Sequence, residues 1–182
     1  MAQSVGGIAA LAGVGIFLAV VVPLHFLQAD YDPSTQLMSE LALGRWGGAM
    51  VVAFGGLALA MFGIQVSIAG LGAAMVLRLV LLLATVFFLA AGLFPLGETS
   101  LIHIASIACA FVLAVLAMYL FPSMAGNAAR AAPRNVSWTL AVGVAASVAL
   151  GHSVLPLGIG QRAAACFLLL WLGVAGWRLS RR

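Results

Sequence analysis

Residues 25–45 read HFLQADYDPSTQLMSELALGR, and this stretch decides how the rest of the chain folds. The chain is 65% hydrophobic and only 7% charged, yet these positions hold three of its four acids, Asp30, Asp32 and Glu40, with His25 and Arg45 at the two ends. Long apolar runs without strand-like alternation lie on either side. Lipid tolerates no backbone N–H or C=O that lacks a partner, so runs of this kind cross a membrane as helices. The polar stretch is then a connection between two spans, and the other spans can be counted outward from it.

The first span runs from about Gly6 to Leu27, with Pro23 and His25 close to its far end. Beyond Arg45 come runs of about 47–69, 73–94, 101–120, 136–155 and 161–179. Each approaches the roughly 20 residues that a helix needs to cross the hydrocarbon core. Gly70 and Gly72, Pro95-Leu96-Gly97, Pro122, Pro156 and Gly158-Ile159-Gly160 supply the breaks. With a mean hydropathy of +1.23, the expectation is an all-α polytopic membrane protein, a single domain over residues 1–182 with six transmembrane helices. Within the polar stretch, Asp32-Pro33 reads as a helix start, Leu37 and Leu41 lie one turn apart, and Gly44 reads as a stop. This predicts a short amphipathic helix in the membrane interface after the first span.

The net charge of +4 does not point to nucleic acid, because the arginines are placed as topology signals. Arg130, Arg134, Arg178, Arg181 and Arg182 fall in one loop and the C-terminal end, with Arg78 nearest the same side; only Arg45 and Arg162 lie on the other. The positive-inside rule then makes both termini cytoplasmic and turns the polar stretch outward. The two cysteines, Cys109 and Cys166, sit in separate apolar runs and match neither a metal motif nor a disulfide framework. The N-terminal run lacks Lys and Arg and is too long for a signal-peptide core, so it reads as a retained first span.

That topology puts all three histidines and all four acids at the outer leaflet. Polar groups gather at helix ends simply because hydrocarbon excludes them, but ionisable groups at a membrane also mark functional sites. Glu40 beside Ser39 suits a general acid/base, with His103 as its partner or as a metal ligand. His25, His103 and His152 could together hold Zn²⁺ with an open position for water, although no H-x-x-x-H pairing supports this; two facing histidines on haem is a competing arrangement. Arg45 and Arg162 suit a lipid phosphate, and Arg162 could instead pair with Glu40 or Glu98. Arg78 reads as a residue reaching the cytoplasmic headgroups. No G-x-S-x-G elbow is present.

Three classes of function follow. The first is a protein that binds or remodels a membrane lipid, with a lipid hydrolase or transferase, metal-dependent or not, as its enzymatic form. The second is a non-catalytic accessory subunit that meets a protein partner or a second copy within the membrane. The third, a small transporter, is disfavoured because no ionisable residue sits near the midplane.

Tyr31-Asp32-Pro33 followed by Leu37-Met38-Ser39-Glu40-Leu41, then Gly92-Leu93-Phe94-Pro95 with His103 eight residues on, resembles the bacterial membrane family catalogued as domain of unknown function 998. The likeness covers nearly the whole chain. It implies six spans in a bacterial inner membrane and an outer-face pocket built from Ser39, Glu40 and His103, with no activity assigned. The chain is also similar, more distantly, to the DRAM-type six-span family, some relatives of which are linked to remodelling of lipid anchors.

Overall fold

The computed structural model describes residues 2–97 and 99–182. Six long helices carry the chain: α1 (Ala2–Leu27), α2 (Ala49–Ala69), α3 (Met75–Leu93), α4 (Ser100–Met124), α5 (Arg134–Gly151) and α6 (Leu157–Ser180). All except α5 are long and apolar enough to cross a membrane. Helix α5 is the shortest at 18 residues and opens on Arg134 and Asn135. The protein is an integral membrane protein with an all-helical fold.

Each helix packs on its neighbours in sequence, and α6 returns to α1, so the six close into a ring with α2 touching α6 across it. Met61, Ile64, Leu81, Phe88, Met118, Phe121, Leu168 and Trp171 fill the interior. One buried polar pin crosses this core: Trp171 Nε1 donates to Ser137 Oγ at 2.9 Å, and that hydroxyl donates to Ala132 O at 3.1 Å. Hydrocarbon gives helices little hydrophobic reason to associate, so close backbone contact must hold the ring together. The α1–α2 seam shows how. A Cβ on Gly63 would sit 2.5 Å from Gly6 O, and one on Gly56 would sit 2.7 Å from Gly13 O.

Three expectations change. The proposed helix over the polar stretch shrinks to six residues of 3₁₀ helix, Met38–Leu43, preceded by turns. Side chains have taken the backbone groups that a longer helix would have used. Glu40 Oε1 accepts from Leu37 N at 2.9 Å and Gln161 Oε1 from Met38 N at 2.6 Å, and Tyr31 Oη donates to Leu37 O at 2.9 Å. Helix α4 runs through Pro122 to Met124 rather than stopping before it. A proline in the last turn forfeits one bond where the ladder is ending anyway. Gly158-Ile159-Gly160 is no linker, because α6 begins after Pro156 and contains it. Those glycines are contact points: a Cβ on Gly160 would lie 2.5 Å from Gly151 Cα, and one on Gly158 2.5 Å from Gln36 O.

The arginines cluster as the sequence implied. Arg178 Nη1 donates to Arg130 O at 3.3 Å and Arg182 Nη1 to Asn127 O at 2.6 Å, joining the end of α6 to the second 3₁₀ turn, Gly126–Ala131. Trp138 and Trp177 stand exposed at this end with Arg134 and Arg181 over their rings, and Trp46 stands exposed at the other. Exposed Trp at both ends is the pattern of aromatic belts at the two membrane surfaces.

Candidate functional site

The end of the bundle that carries the polar stretch holds two separate arrangements. The first is a lock centred on Arg162, in the second turn of α6. Its guanidinium donates to His25 Nε2 on α1 (3.3 Å from Nε, 3.0 Å from Nη2), to Gln36 O at 2.9 Å, to Gly158 O at 2.9 Å and to the Tyr31 hydroxyl. It also lies over the Tyr31 ring, 5.4 Å from the centroid. His25 Nδ1 faces Val21 O at 2.7 Å; a carbonyl only accepts, so the proton is on Nδ1 and Nε2 is left to accept from Arg162. Planar donors in a fixed fork suit this task. One residue thereby ties α1, the connecting stretch and α6 together.

Glu40 belongs to the same cap. Its Oε1 accepts from Leu37 N at 2.9 Å, satisfying a free N–H at the start of the 3₁₀ helix, and Oε2 accepts from Gln36 Nε2 at 3.3 Å. Gln28 Nε2 donates to Leu41 O at 2.7 Å. Glu40 and Arg45 line an open cleft on the outside of the cap, together with Gln28, Asp30 and Tyr31. Arg45 is exposed and lies against Trp46, its centroid 5.4 Å away.

Protonation in the cap follows its bonding. Ser34 and Thr35 hold the Asp32 carboxyl below its ordinary range, so it stays ionised. Burial raises the Tyr31 phenol above 10.0, against the pull of Arg162. Because the folded value exceeds the unfolded one, the neutral phenol's contribution to stability is complete below about pH 10 and is lost as pH climbs through the raised value. The melting temperature of the wild type is expected to fall above pH 10 by more than that of Tyr31→Phe, which has no phenol to ionise. Parallel alkaline profiles would show that the phenol does not couple to folding.

The second arrangement is a cavity of about 250 Å³ between α4, α5 and α6, closed above by the 3₁₀ segment. Its walls are mainly apolar, and four polar side chains interrupt them: Ser39, His103, His152 and Gln161. His103 is 1% exposed, and its Nδ1 lies 2.8 Å from Ala91 O and 3.1 Å from Phe94 O, at the end of α3. Two carbonyls again place the proton on Nδ1. Nε2 is buried without a hydrogen-bond partner among the described residues, while the ring stands edge-on to Phe54, 5.5 Å between centroids. Ser39 is 3% exposed, and its hydroxyl likewise makes no hydrogen bond among the described residues. Gln161 Oε1 accepts from Met38 N at 2.6 Å, which turns its NH₂ the other way. His152 follows the last residue of α5, exposed at the cavity's edge, with Nδ1 2.8 Å from Val148 O.

The expected residues thus divide. Ser39, His103 and His152 share the cavity; Glu40 and Arg45 line the outer cleft; His25 and Arg162 bond to each other inside the cap. Glu40 and His103 are not brought together. Glu98 lies outside the described residues. Among the described residues no three His, Cys, Asp or Glu side chains are placed to hold a metal ion. The donor set also does not fit one, because both nitrogens of His25 are engaged, and that leaves it no lone pair for zinc or haem. Arg78 Nε is buried without a hydrogen-bond partner among the described residues.

Sequence reasoning assigned no site role to Tyr31 or Gln161. A signal for Gln161 was present: Gln161-Arg162 is an adjacent polar pair in an apolar helix, and adjacent helical residues point about 100° apart. One therefore enters the cap and the other the cavity.

An all-helical integral membrane protein with a bonded polar cap over a mainly apolar pocket is the class that this geometry defines. Within it, the chain belongs to the family described as "Protein of unknown function (DUF998)", whose model matches residues 11–178. No curated protein and no solved structure matches it.

Proposed function

We propose that the protein binds a membrane lipid or lipid-like amphiphile in the cavity between α4, α5 and α6, at the outward face of a bacterial inner membrane, with both termini cytoplasmic. The observation that carries this reading is the pairing of mainly apolar walls with polar groups that make no hydrogen bond among the described residues, the Ser39 hydroxyl and the Gln161 NH₂. Polar groups in an apolar setting are normally hydrogen-bonded, and unpartnered ones lining a cavity mark a place for a ligand. The way in is the seam between α4 and α5, the least intimate contact between successive helices of the ring, where Ile104 and Val148 are exposed to the surroundings. The arginine-rich opposite end supports the orientation.

Binding has more support than remodelling. Glu40 is occupied as a cap of the 3₁₀ helix and lines a different cleft, so an acid/base pair with His103 would require the cap to rearrange. Arg162 is spent on holding the cap, which favours a structural role for it over capture of a headgroup phosphate.

Lipid extracts of the purified wild type and Ala108→Trp test the reading. Ala108 is exposed on α4 and lines the cavity, so an indole there blocks the space without disturbing the core. A near-stoichiometric lipid in the wild type, reduced at least fivefold in the variant at unchanged melting temperature, is the expected result. Equal lipid in both would sink the proposal.

A further inference from the structure

We propose that this cavity holds its ligand by an acyl ester carbonyl, received by the Gln161 amide and the Ser39 hydroxyl; this rests on the lipid-binding reading above and names the ligand class. The bond between Gln161 and the cap fixes the direction of the amide. Met38 N only donates, so the side-chain oxygen faces it at 2.6 Å, and the NH₂ group points the other way with two protons to give. Ser39 follows Met38 in the chain, and its hydroxyl makes no hydrogen bond among the described residues. Both residues line this cavity and the smaller one beside it, between α1, α2, α4 and α6. Among the described residues, the unpartnered side-chain atoms that are sealed from contact are Arg78 Nε and His103 Nε2. Ser39 Oγ and Gln161 Nε2 are not sealed, so a ligand atom can reach them.

The balance of donors and acceptors selects the ligand. The Gln161 NH₂ offers two protons and Ser39 one, against the hydroxyl oxygen as their free acceptor. A carbonyl oxygen suits this surplus, because it has two lone pairs and brings no proton that needs a partner. None of the described residues lining the cavity is Arg, Lys, Asp or Glu, and Arg162, next to Gln161 in the chain, is turned to His25, Tyr31 and Gln36. A phosphate, carboxylate or ammonium buried here would lose its hydration with no opposite charge to receive it.

Depth in the membrane agrees with an ester. Helix α6 has 24 residues, a length of about 36 Å, and centred in a hydrocarbon core of roughly 30 Å it overruns each side by about 3 Å. Gln161 is the fifth residue of α6, about 6 Å along it, so its amide lies at the rim of the hydrocarbon. Acyl esters lie at that rim, because they join the chains of a lipid to its headgroup. Ile104, Ile107 and Phe111 then flank the chain. A cavity of about 250 Å³ is just short of the roughly 300 Å³ at which sites enclose a whole small molecule. It takes the ester and the first part of one chain, and the remainder leaves through the α4–α5 seam.

Methyl dodecanoate labelled with ¹³C at its carbonyl, tridecane and dodecanoate have chains of similar length and differ at the head. Their binding to the full-length protein in maltoside micelles, which carry no ester, would be compared for wild type, Ser39→Ala and Ala108→Trp. After correction for partition into empty micelles, methyl dodecanoate is expected to bind the wild type about tenfold tighter than either comparator. Ser39→Ala should lose about fivefold of that binding, the worth of one hydrogen bond, at an unchanged melting temperature, since the hydroxyl has no internal bond to lose. Two readouts need no variant to fold. The carbonyl stretch of the ester bound to wild type should fall below its frequency in empty micelles, and the ester should move the Gln161 side-chain amide resonances of ¹⁵N-glutamine-labelled protein. An unmoved carbonyl band, or tridecane or dodecanoate bound as tightly as the ester, with binding lost in Ala108→Trp, would overturn the ester assignment and leave lipid binding intact. Binding absent from the wild type, or indifferent to Ala108→Trp, would overturn both.

Discussion

Arg162→Ala is expected to lower the stability of the folded protein by about 3 kcal/mol or more, the cost of leaving several buried partners of a charged donor unpaired. The substitution takes the charged donor from His25 Nε2, Gln36 O, Gly158 O and the Tyr31 hydroxyl, of which Tyr31 keeps its bond to Leu37 O. These bonds are part-buried, so solvent repays only some of them. Arg162→Lys should recover little of the loss, since a single ammonium cannot span positions reached by three nitrogens of a planar fork. Tyr31→Phe, which removes one of the four partners and the donor to Leu37 O, should cost about 1–2 kcal/mol. Thermal unfolding in detergent measures all three, and hydrogen exchange over residues 28–37 reports whether the cap has come loose. If Arg162→Ala melted with the wild type, the guanidinium would be a surface cation, and its bonds to the cap would contribute nothing.

The position of each polar group along its helix was legible in the sequence, but its direction around the helix was not. His25, His103 and His152 were expected at one end of the bundle, and they are there. Hydropathy fixes depth in the membrane, because a charged or hydrogen-bonding group is costly at every other depth. Which neighbour a side chain meets depends on helix rotation and ring order, and two apolar faces of similar hydropathy do not distinguish these. The three histidines consequently find three different fates: bonded in the cap, buried on the cavity wall, and exposed at its edge. Glu40 and His103 were paired in expectation because both lie at the outer face and in adjacent motifs, yet the 3₁₀ geometry of Met38–Leu43 sends neighbours Ser39 and Glu40 to opposite sides of the cap.

Glycine is common in these spans, but only the backbone shows which glycines matter. Gly13 and Gly15 are two residues apart on α1, and composition treats them alike. A Cβ on Gly13 would overlap Gly56 O and lie 2.6 Å from Ala60 N, whereas one on Gly15 would meet nothing within 4 Å. The obstacle at Gly13 is backbone on a packed helix, which cannot swing aside as a long side chain would. Gly13→Val must therefore push α1 from α2 along the seam that Gly6, Gly56 and Gly63 also form, and it is expected to cost about 3 kcal/mol, at the upper end for overpacked interiors. Gly15→Ala adds a methyl group in open surroundings and restricts the unfolded chain, so it should be neutral or stabilise by up to about 1 kcal/mol. The two variants change the same helix in opposite directions, which separates packing from helix propensity. Thermal unfolding of both in one detergent decides the matter. A Gly13→Val protein as stable as Gly15→Ala would mean that α1 and α2 are not in backbone contact, and the closure of the ring through α1 would have to be redrawn.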